Sequence, residues 1–179
     1  TFRMPAYRFS RLLSGSASTL LRIEGFPKSV SYRAEKLSRF LNATSEILPE
    51  AQSRAIWQEI RDCMPFADGS KKPVWRVSVA PMSGHAIVAD LRLNAAADAF
   101  YDWQGGLIWI CMETDPEADT LRATIKSHGG GHAMLVRASE EQRRTNPVFE
   151  PLSPALAALS SRLKEQFNPM NILNPGSMF

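Results

Sequence analysis

The chain has 179 residues, of which 44% are hydrophobic and 22% charged, with a net charge of +3, as in ordinary globular proteins. The densest basic pair, Arg143 and Arg144, follows two glutamates, so the charge pattern excludes a nucleic-acid-binding stripe and no nucleic acid partner is expected. No apolar run approaches the roughly 20 residues that cross a bilayer, and two distant cysteines, Cys63 and Cys111, favour a reducing, cytoplasmic compartment over a disulfide framework.

The first 18 residues differ in composition from the rest. The chain begins with Thr1 rather than methionine, and residues 10–18 are small and polar, as in a linker. We therefore expect that the chain was excised from a longer protein and that a folded domain begins near Thr19.

The next segment predicts one strand and two helices. Residues 19–24 have the pattern of a strand, and Pro27 suits the first turn of a helix. Apolar residues at helical spacing then form a stripe: Val30, Ala34, Leu37 and Leu41. A second helix is predicted over residues 49–63, with Ile56, Trp57 and Ile60 on its apolar face, followed by a loop over residues 65–73.

Three strands and a helix are predicted between residues 74 and 112. Residues 74–79 alternate, with Trp75 and Val77 on one face of the strand and Arg76 on the other. A short helix is predicted over 83–91. Two further strands, 99–104 and 107–112, flank Gly105-Gly106, which predicts a two-residue hairpin turn.

The last part of this region predicts a helix and a strand. Asp115-Pro116 has the composition of a helix start, and the three glycines at 129–131 predict the helix end. Residues 132–137 alternate as a strand. The resulting order, β-α-α-β-α-β-β-α-β, predicts an α+β fold with a ferredoxin-like antiparallel sheet and helices on one face.

The C-terminal residues have a different character. Residues 146–151 predict an extended connector, and Ser153-Pro154 predicts the start of a helix with a leucine stripe. The tail over 168–176 contains two Asn-Pro steps and one Pro-Gly step, which exclude helix and central strand. A C-terminal helix and an extended tail are therefore expected beside the sheet domain.

This helix and tail resemble the C-terminus of the flavin-linked oxidases of the vanillyl-alcohol oxidase type. The tail reads Phe167-Asn168-Pro169-x-x-Ile172-Leu173-Asn174-Pro175-Gly176, where Asn168 replaces the family's usual aspartate. Three further stretches are similar to the cap region of the FAD-binding E subunits of bacterial glycolate oxidases: 62–69, the strand 74–81 with its Trp-Arg pair, and 130–138 with its Gly-Gly-His. Together these stretches cover about residues 19–179.

The resemblance implies how the parent protein is organised. Most of the FAD would be bound by an N-terminal domain that this chain does not contain, and residues 1–18 would be a linker or a remnant of it. Residues 19–145 would form the substrate-side cap, and 146–179 would return to the flavin domain. The chain alone would then be an inactive fragment without tightly bound FAD.

The resemblance also implies partners and a reaction. The parent would oxidise the small hydroxy acid glycolate to glyoxylate in a complex with a second flavin subunit and an iron–sulfur subunit. Those partner subunits would hold it at the inner face of the membrane. Two copies of the fragment pairing through the leucine stripe is a further expectation.

Five residues are candidate ligands. Asn174, Gly176 and His132 are predicted to contact the flavin, since a Pro-Gly turn lets backbone approach closely. Arg76 and Arg137 are candidates to bind the substrate carboxylate, because guanidinium matches carboxylate with two parallel hydrogen bonds; the alternative for both is a solvated or salt-bridged arginine on the sheet. If the two arginines lie on neighbouring strands and face the same way, they would form one anionic-ligand pocket.

Alternative interpretations of these residues remain open. The run from His128 to His132 is read first as a helix end and strand start, then as a flavin- or substrate-facing histidine; a metal site, with His85 as third imidazole, is not expected. A hydrolase lacks support because no Gly-x-Ser-x-Gly elbow is present. The remaining rivals are a non-catalytic ferredoxin-like binding or assembly module and a related D-lactate-type flavin dehydrogenase.

Overall fold

The computed structural model describes residues 18–42 and 45–173. These residues divide into two compact units, the first ending at Gly69 and the second beginning at Ser70. In the first unit, helix α1 spans Pro27–Leu41 and helix α2 spans Glu50–Arg61, with a single 3₁₀ turn at Met64–Phe66. Both predicted helices are confirmed, and Pro27 occupies the first helical turn of α1, as expected.

The predicted strand over residues 19–24 is wrong. These residues form neither helix nor strand. Every pairing of the described sheet joins strands that begin at or after Val74. An alternating sequence becomes a strand only when its backbone finds a hydrogen-bonding neighbour, and none is provided for residues 19–24 within the described part of the chain.

The second unit contains a four-stranded antiparallel sheet. Its elements are β1 (Val74–Val79), α3 (Gly84–Asn94), β2 (Ala97–Asp102), β3 (Leu107–Met112), α4 (Ala118–Ser127) and β4 (Gly131–Arg137). The strands lie in the order β2-β3-β1-β4. This βαββαβ order confirms the predicted α+β class and ferredoxin-like sheet.

Helices α3 and α4 cover one face of this sheet, which we call the covered face. Trp75 and Val77 of β1 are fully buried there, as the alternation of the sequence predicts. The same cluster includes apolar residues of every other strand and both helices: Ile87, Val88, Leu91, Ala99, Ile108, Ile110, Met112, Leu121, Ile125, Ala133 and Leu135. This cluster is the hydrophobic core of the second unit.

Two predicted turns differ from the structure. The β2–β3 connection has four residues rather than two, with a 3₁₀ turn at Trp103–Gly105. Helix α4 begins at Ala118 and not at Asp115-Pro116, because Glu117 has a left-handed backbone (φ 51°) that interrupts a helix. The carbonyl of Pro116 instead accepts a hydrogen bond from Trp75 Nε1 (2.8 Å).

Strand β4 lies at one edge of the sheet, and the connector over residues 146–151 runs beside it. Leu135 N donates to Val148 O (2.8 Å), and Ala133 N donates to the Glu150 carboxylate (3.2 Å). These bonds occupy backbone donors that an edge strand otherwise presents to other chains. The connector therefore protects this edge.

Arg122 of α4 fastens the connector. Its Nη2 donates to Pro147 O (2.8 Å) and Phe149 O (3.0 Å), and its Nε lies 3.5 Å from Glu150 Oε2. The guanidinium also lies 5.2 Å from the centre of the Trp75 ring, and only 12% of the side chain is exposed. We call this arrangement the Arg122 clamp.

Two helices follow β4. Helix α5 (Glu140–Thr145) was not predicted, although its capping box of Ser139 and Gln142 is a recognisable start signal. Helix α6 (Pro154–Phe167) confirms the predicted C-terminal helix, and residues 168–173 form neither helix nor strand, as expected for the tail. Among the described helices, none combines the length and apolarity needed to cross a membrane.

Candidate functional site

The sheet face opposite α3 and α4, which we call the outward face, carries the candidate residues. Alternation places Arg76 and Ser78 of β1 on this face. Arg76 pairs with Trp109 of β3, which in turn pairs with Phe100 of β2, and Ser78 pairs with His132 of β4. Directly opposed residues in an antiparallel sheet share a face, so all five side chains lie on the outward face.

Arg76 is half-buried and has an unusual set of neighbours. Its guanidinium lies 5.4 Å from the centre of the Trp103 ring, within the range of a cation–π interaction. Within the described residues the Arg76 guanidinium makes no hydrogen bond and no ion pair. The guanidinium therefore keeps its N–H donors available, and these match a carboxylate in two parallel bonds.

Aromatic rings lie on one side of this arginine, across the strands β3 and β2. Phe100 and Trp109 are stacked with ring centres 6.4 Å apart and planes inclined by 20°, while Trp103 at the end of β2 is 59% exposed. We call Arg76, Phe100, Trp103 and Trp109 the aromatic–arginine cluster. The alternation of β1 singles out Arg76 but not the tryptophans near it, because alternation does not show what lies beyond the end of a strand.

His132 lies on the same face but on the other side of Arg76. It is exposed and directly opposite Ser78, on β4. The Arg76 guanidinium extends toward Trp103, which follows β2, and so it points away from β4. The structure therefore places the predicted flavin-facing histidine and the predicted carboxylate-binding arginine on one face, at different positions across it.

Arg137 has different partners. Its Nε donates to Lys72 O (2.8 Å) and its Nη2 to Ser70 Oγ (3.1 Å), both in the segment before β1. Arg76 and Arg137 are on neighbouring strands, as the pocket hypothesis requires. Their guanidinium groups nevertheless point toward opposite ends of β1, so the structure does not bring them into one pocket. Asn174 and Gly176 lie outside the described residues.

The run from His128 to His132 connects α4 to β4. Gly129 and Gly130 have positive φ (100° and 85°), which reverses the chain after the helix. His128 Nε2 lies 2.7 Å from Asp90 Oδ2 of α3, so this ring ties the two helices together. Among the described residues, no group of three or more His, Cys, Asp or Glu side chains is placed to hold a metal ion.

A groove of about 630 Å³ lies between the start of α4 and helix α5. Its lining is polar and includes four carboxylates: Asp115, Glu117, Asp119 and Glu141. Such a lining repels a pyrophosphate, whose charge is also negative. The groove therefore does not fit the phosphates of a dinucleotide such as FAD.

This sequence is similar to that of a glycolate oxidase subunit. It is 28% identical over 163 residues to glycolate oxidase subunit GlcE of Escherichia coli strain K12. The match covers 89% of this chain but 38% of the relative, so the chain spans less than two fifths of that protein's length. No family model matches the chain, and no solved structure matches it.

Proposed function

We propose that this chain is the substrate-side cap and C-terminal arm of an FAD-binding subunit that oxidises a 2-hydroxy acid to the 2-oxo acid. The observation that carries the proposal is the similarity to a glycolate oxidase subunit, which extends over 89% of the chain. A match of that extent includes the whole sheet together with the aromatic–arginine cluster, and is not confined to a short motif. Glycolate is the simplest substrate of this class and D-lactate the alternative.

The aromatic–arginine cluster supports the binding of an acid. Arg76 offers a guanidinium that no acceptor occupies within the described residues. A monocarboxylate would satisfy its donors, and the neighbouring indole rings of Trp103 and Trp109 would lower the local polarity and strengthen the bond. The role proposed for this chain is therefore to hold and orient the substrate carboxylate.

FAD, when bound, would supply the two-electron acceptor for the hydrogen on carbon 2. The acid-lined groove does not fit its pyrophosphate, and the sequence contains no Gly-x-Gly-x-x-Gly loop. We therefore assign most of the FAD contacts to another part of the subunit. The FAD contacts that we propose for this chain are made by His132 of the outward face and by Asn174 and Gly176 of the tail.

The exposed leucines of the C-terminal arm support docking of this arm on another domain. The stripe on α6 is half exposed: Leu156 is 54%, Leu159 50% and Leu163 52% exposed. A self-contained binding or assembly module would be expected to cover these leucines, since large exposed apolar patches favour association. The stripe is the surface that we propose docks on the flavin domain, in a multi-subunit complex with a second flavin subunit and an iron–sulfur subunit.

The test uses the whole subunit that contains this chain, co-purified with its partner subunits. We expect oxidation of glycolate or D-lactate with an artificial electron acceptor, and a flavin absorbance spectrum. Arg76→Ala should raise KM for the acid by roughly tenfold to a hundredfold, the loss of one charged hydrogen-bond pair. Arg144→Ala is the matched control, because Arg144 is 76% exposed on α5. A flavin-loaded complex that oxidises neither acid would refute the proposal.

A further inference from the structure

The turn between β2 and β3 has a strained backbone. Trp103 (φ 50°) and Gln104 (φ 59°) are consecutive residues with left-handed conformations, although neither is glycine. Bulky residues rarely adopt this conformation, and it persists only where neighbouring structure imposes it. The position of Trp103 therefore depends on the contacts of this turn.

Hydrogen bonds hold the turn at both ends. Asp102 Oδ1 accepts a bond from Trp103 N (2.7 Å), and Trp103 O accepts one from Gly106 N (3.1 Å). Gly106 O in turn accepts a bond from Val79 N of β1 (2.9 Å). The turn is thus tied to the strand that carries Arg76.

Close backbone packing fixes the turn further. A Cβ atom at Gly105 would lie 2.6 Å from Pro81 O, and one at Gly84 would overlap the carbonyl oxygen of Gly105. The turn and the segment before α3 therefore touch through backbone atoms, with no room for side chains between them. This contact pre-organises the Trp103 ring next to the Arg76 guanidinium.

The resulting surface combines a cation with an exposed apolar ring. The Trp103 ring supports Arg76 and leaves more than half of its own surface exposed. Glycolate could bind the guanidinium but carries no substituent to cover the ring. A 2-hydroxy acid with an apolar group on carbon 2 could do both, whereas the Asp102 carboxylate beside the turn would disfavour a second negative charge on the ligand.

We infer that Trp103 is a specificity-determining residue that, with Arg76, favours monocarboxylic 2-hydroxy acids with an apolar substituent over glycolate. This inference rests on the proposed function and adds the substrate class. Covering part of the indole removes on the order of 50 Å² of apolar surface from water, which corresponds to roughly a tenfold gain in affinity.

The experiment measures binding of glycolate and of each mandelate enantiomer to the full chain. The four tryptophans give indole N–H signals in a ¹H–¹⁵N NMR spectrum, and the Trp103 signal reports the Kd. At least one mandelate enantiomer should bind about tenfold more tightly than glycolate. Arg76→Gln should weaken both acids, while Trp103→Leu should remove the preference and leave glycolate affinity within about twofold.

Trp103→Phe keeps an aromatic ring and should retain most of the preference, which separates loss of the ring from loss of the fold. Equal affinities for mandelate and glycolate, or an unchanged preference in Trp103→Leu, would overturn the inference. Oxidation of glycolate by the whole subunit without any mandelate preference would sink this inference alone. Selective mandelate binding by the chain, with no oxidation of any 2-hydroxy acid by the whole subunit, would instead overturn the proposed function.

Discussion

The two faces of the sheet hold tryptophans in different environments. On the covered face, Trp75 is fully buried and its Nε1 donates to Pro116 O, so both its ring and its polar atom are occupied. On the outward face, Trp103 is 59% exposed beside Arg76. A tryptophan therefore stabilises the fold on one face and forms part of the binding surface that we propose on the other. Burial and occupied hydrogen-bonding groups distinguish the two roles, and residue type does not.

The largest expected effect on stability comes from replacing Trp75, with the same replacement at Trp103 as the comparison. Trp75→Ala should lower the free energy of unfolding by about 3–5 kcal/mol, because it leaves a cavity in the core and an unsatisfied carbonyl. Trp103→Ala should lower it by less than about 1 kcal/mol. Urea unfolding followed by circular dichroism measures both. Equal losses from the two variants would contradict the division between the faces.

The Arg122 clamp should give a smaller effect. Arg122→Met keeps the apolar stem but leaves the carbonyls of Pro147 and Phe149 without their donor, which should cost about 1–3 kcal/mol. Amide exchange at Leu135 should accelerate, because the connector that accepts its bond loosens. Arg144→Met should change stability by at most about 0.5 kcal/mol. Unchanged exchange at Leu135 would show that the clamp does not hold the connector.

The pair formed by Asp90 of α3 and His128 at the end of α4 should contribute still less to stability. His128 and Asp90 meet at 2.7 Å, but the Asp90 side chain is 55% exposed. Such pairs contribute about 0–1 kcal/mol. Asp90→Asn should therefore lower the thermal midpoint by a few degrees at most. A loss of stability comparable with that of Trp75→Ala would mean that the packing of α3 against α4 depends on this pair rather than on the apolar core.

The smallest expected effect is a pH dependence from Tyr101, which packs against the covered-face core. Burial raises the pKa of this phenol above its ordinary value, and the nearby Arg92 opposes the rise. The unfolded chain then loses the proton first, so Tyr101 lowers stability as pH rises through about 10. Tyr101→Phe should reduce this alkaline loss. The difference in ultraviolet absorbance between the two proteins across alkaline pH checks the raised pKa.

The sequence predicts those parts of the fold that depend on local patterns. The alternation of residues 74–79 identifies the core face of β1, because periodicity determines which face is buried. Residues 19–24 show the limit of this reasoning, since a strand also requires a partner that the pattern does not contain. The helix start at Ala118 was misplaced because the left-handed backbone of Glu117 has no sequence signal as strong as Asp-Pro.

The candidate site was predicted only in part. The alternation of β1 was enough to place Arg76 on the face opposite the core. The roles of Trp103 and of the four-residue turn could not be predicted, because two consecutive left-handed residues that are not glycine have no sequence signature. The separation of Arg76 from Arg137 likewise depends on the partners in the segment before β1, which strand register alone does not specify.

The backbone contact between Gly84 and Gly105 also restricts how this protein can evolve. A methyl group at Gly84 would collide with the Gly105 carbonyl oxygen, so the two positions cannot drift independently. Any lineage that acquires a side chain at the start of α3 must also rebuild the turn that carries Trp103. Ligand preference and the geometry of the helix start should therefore change together among descendants of this sequence.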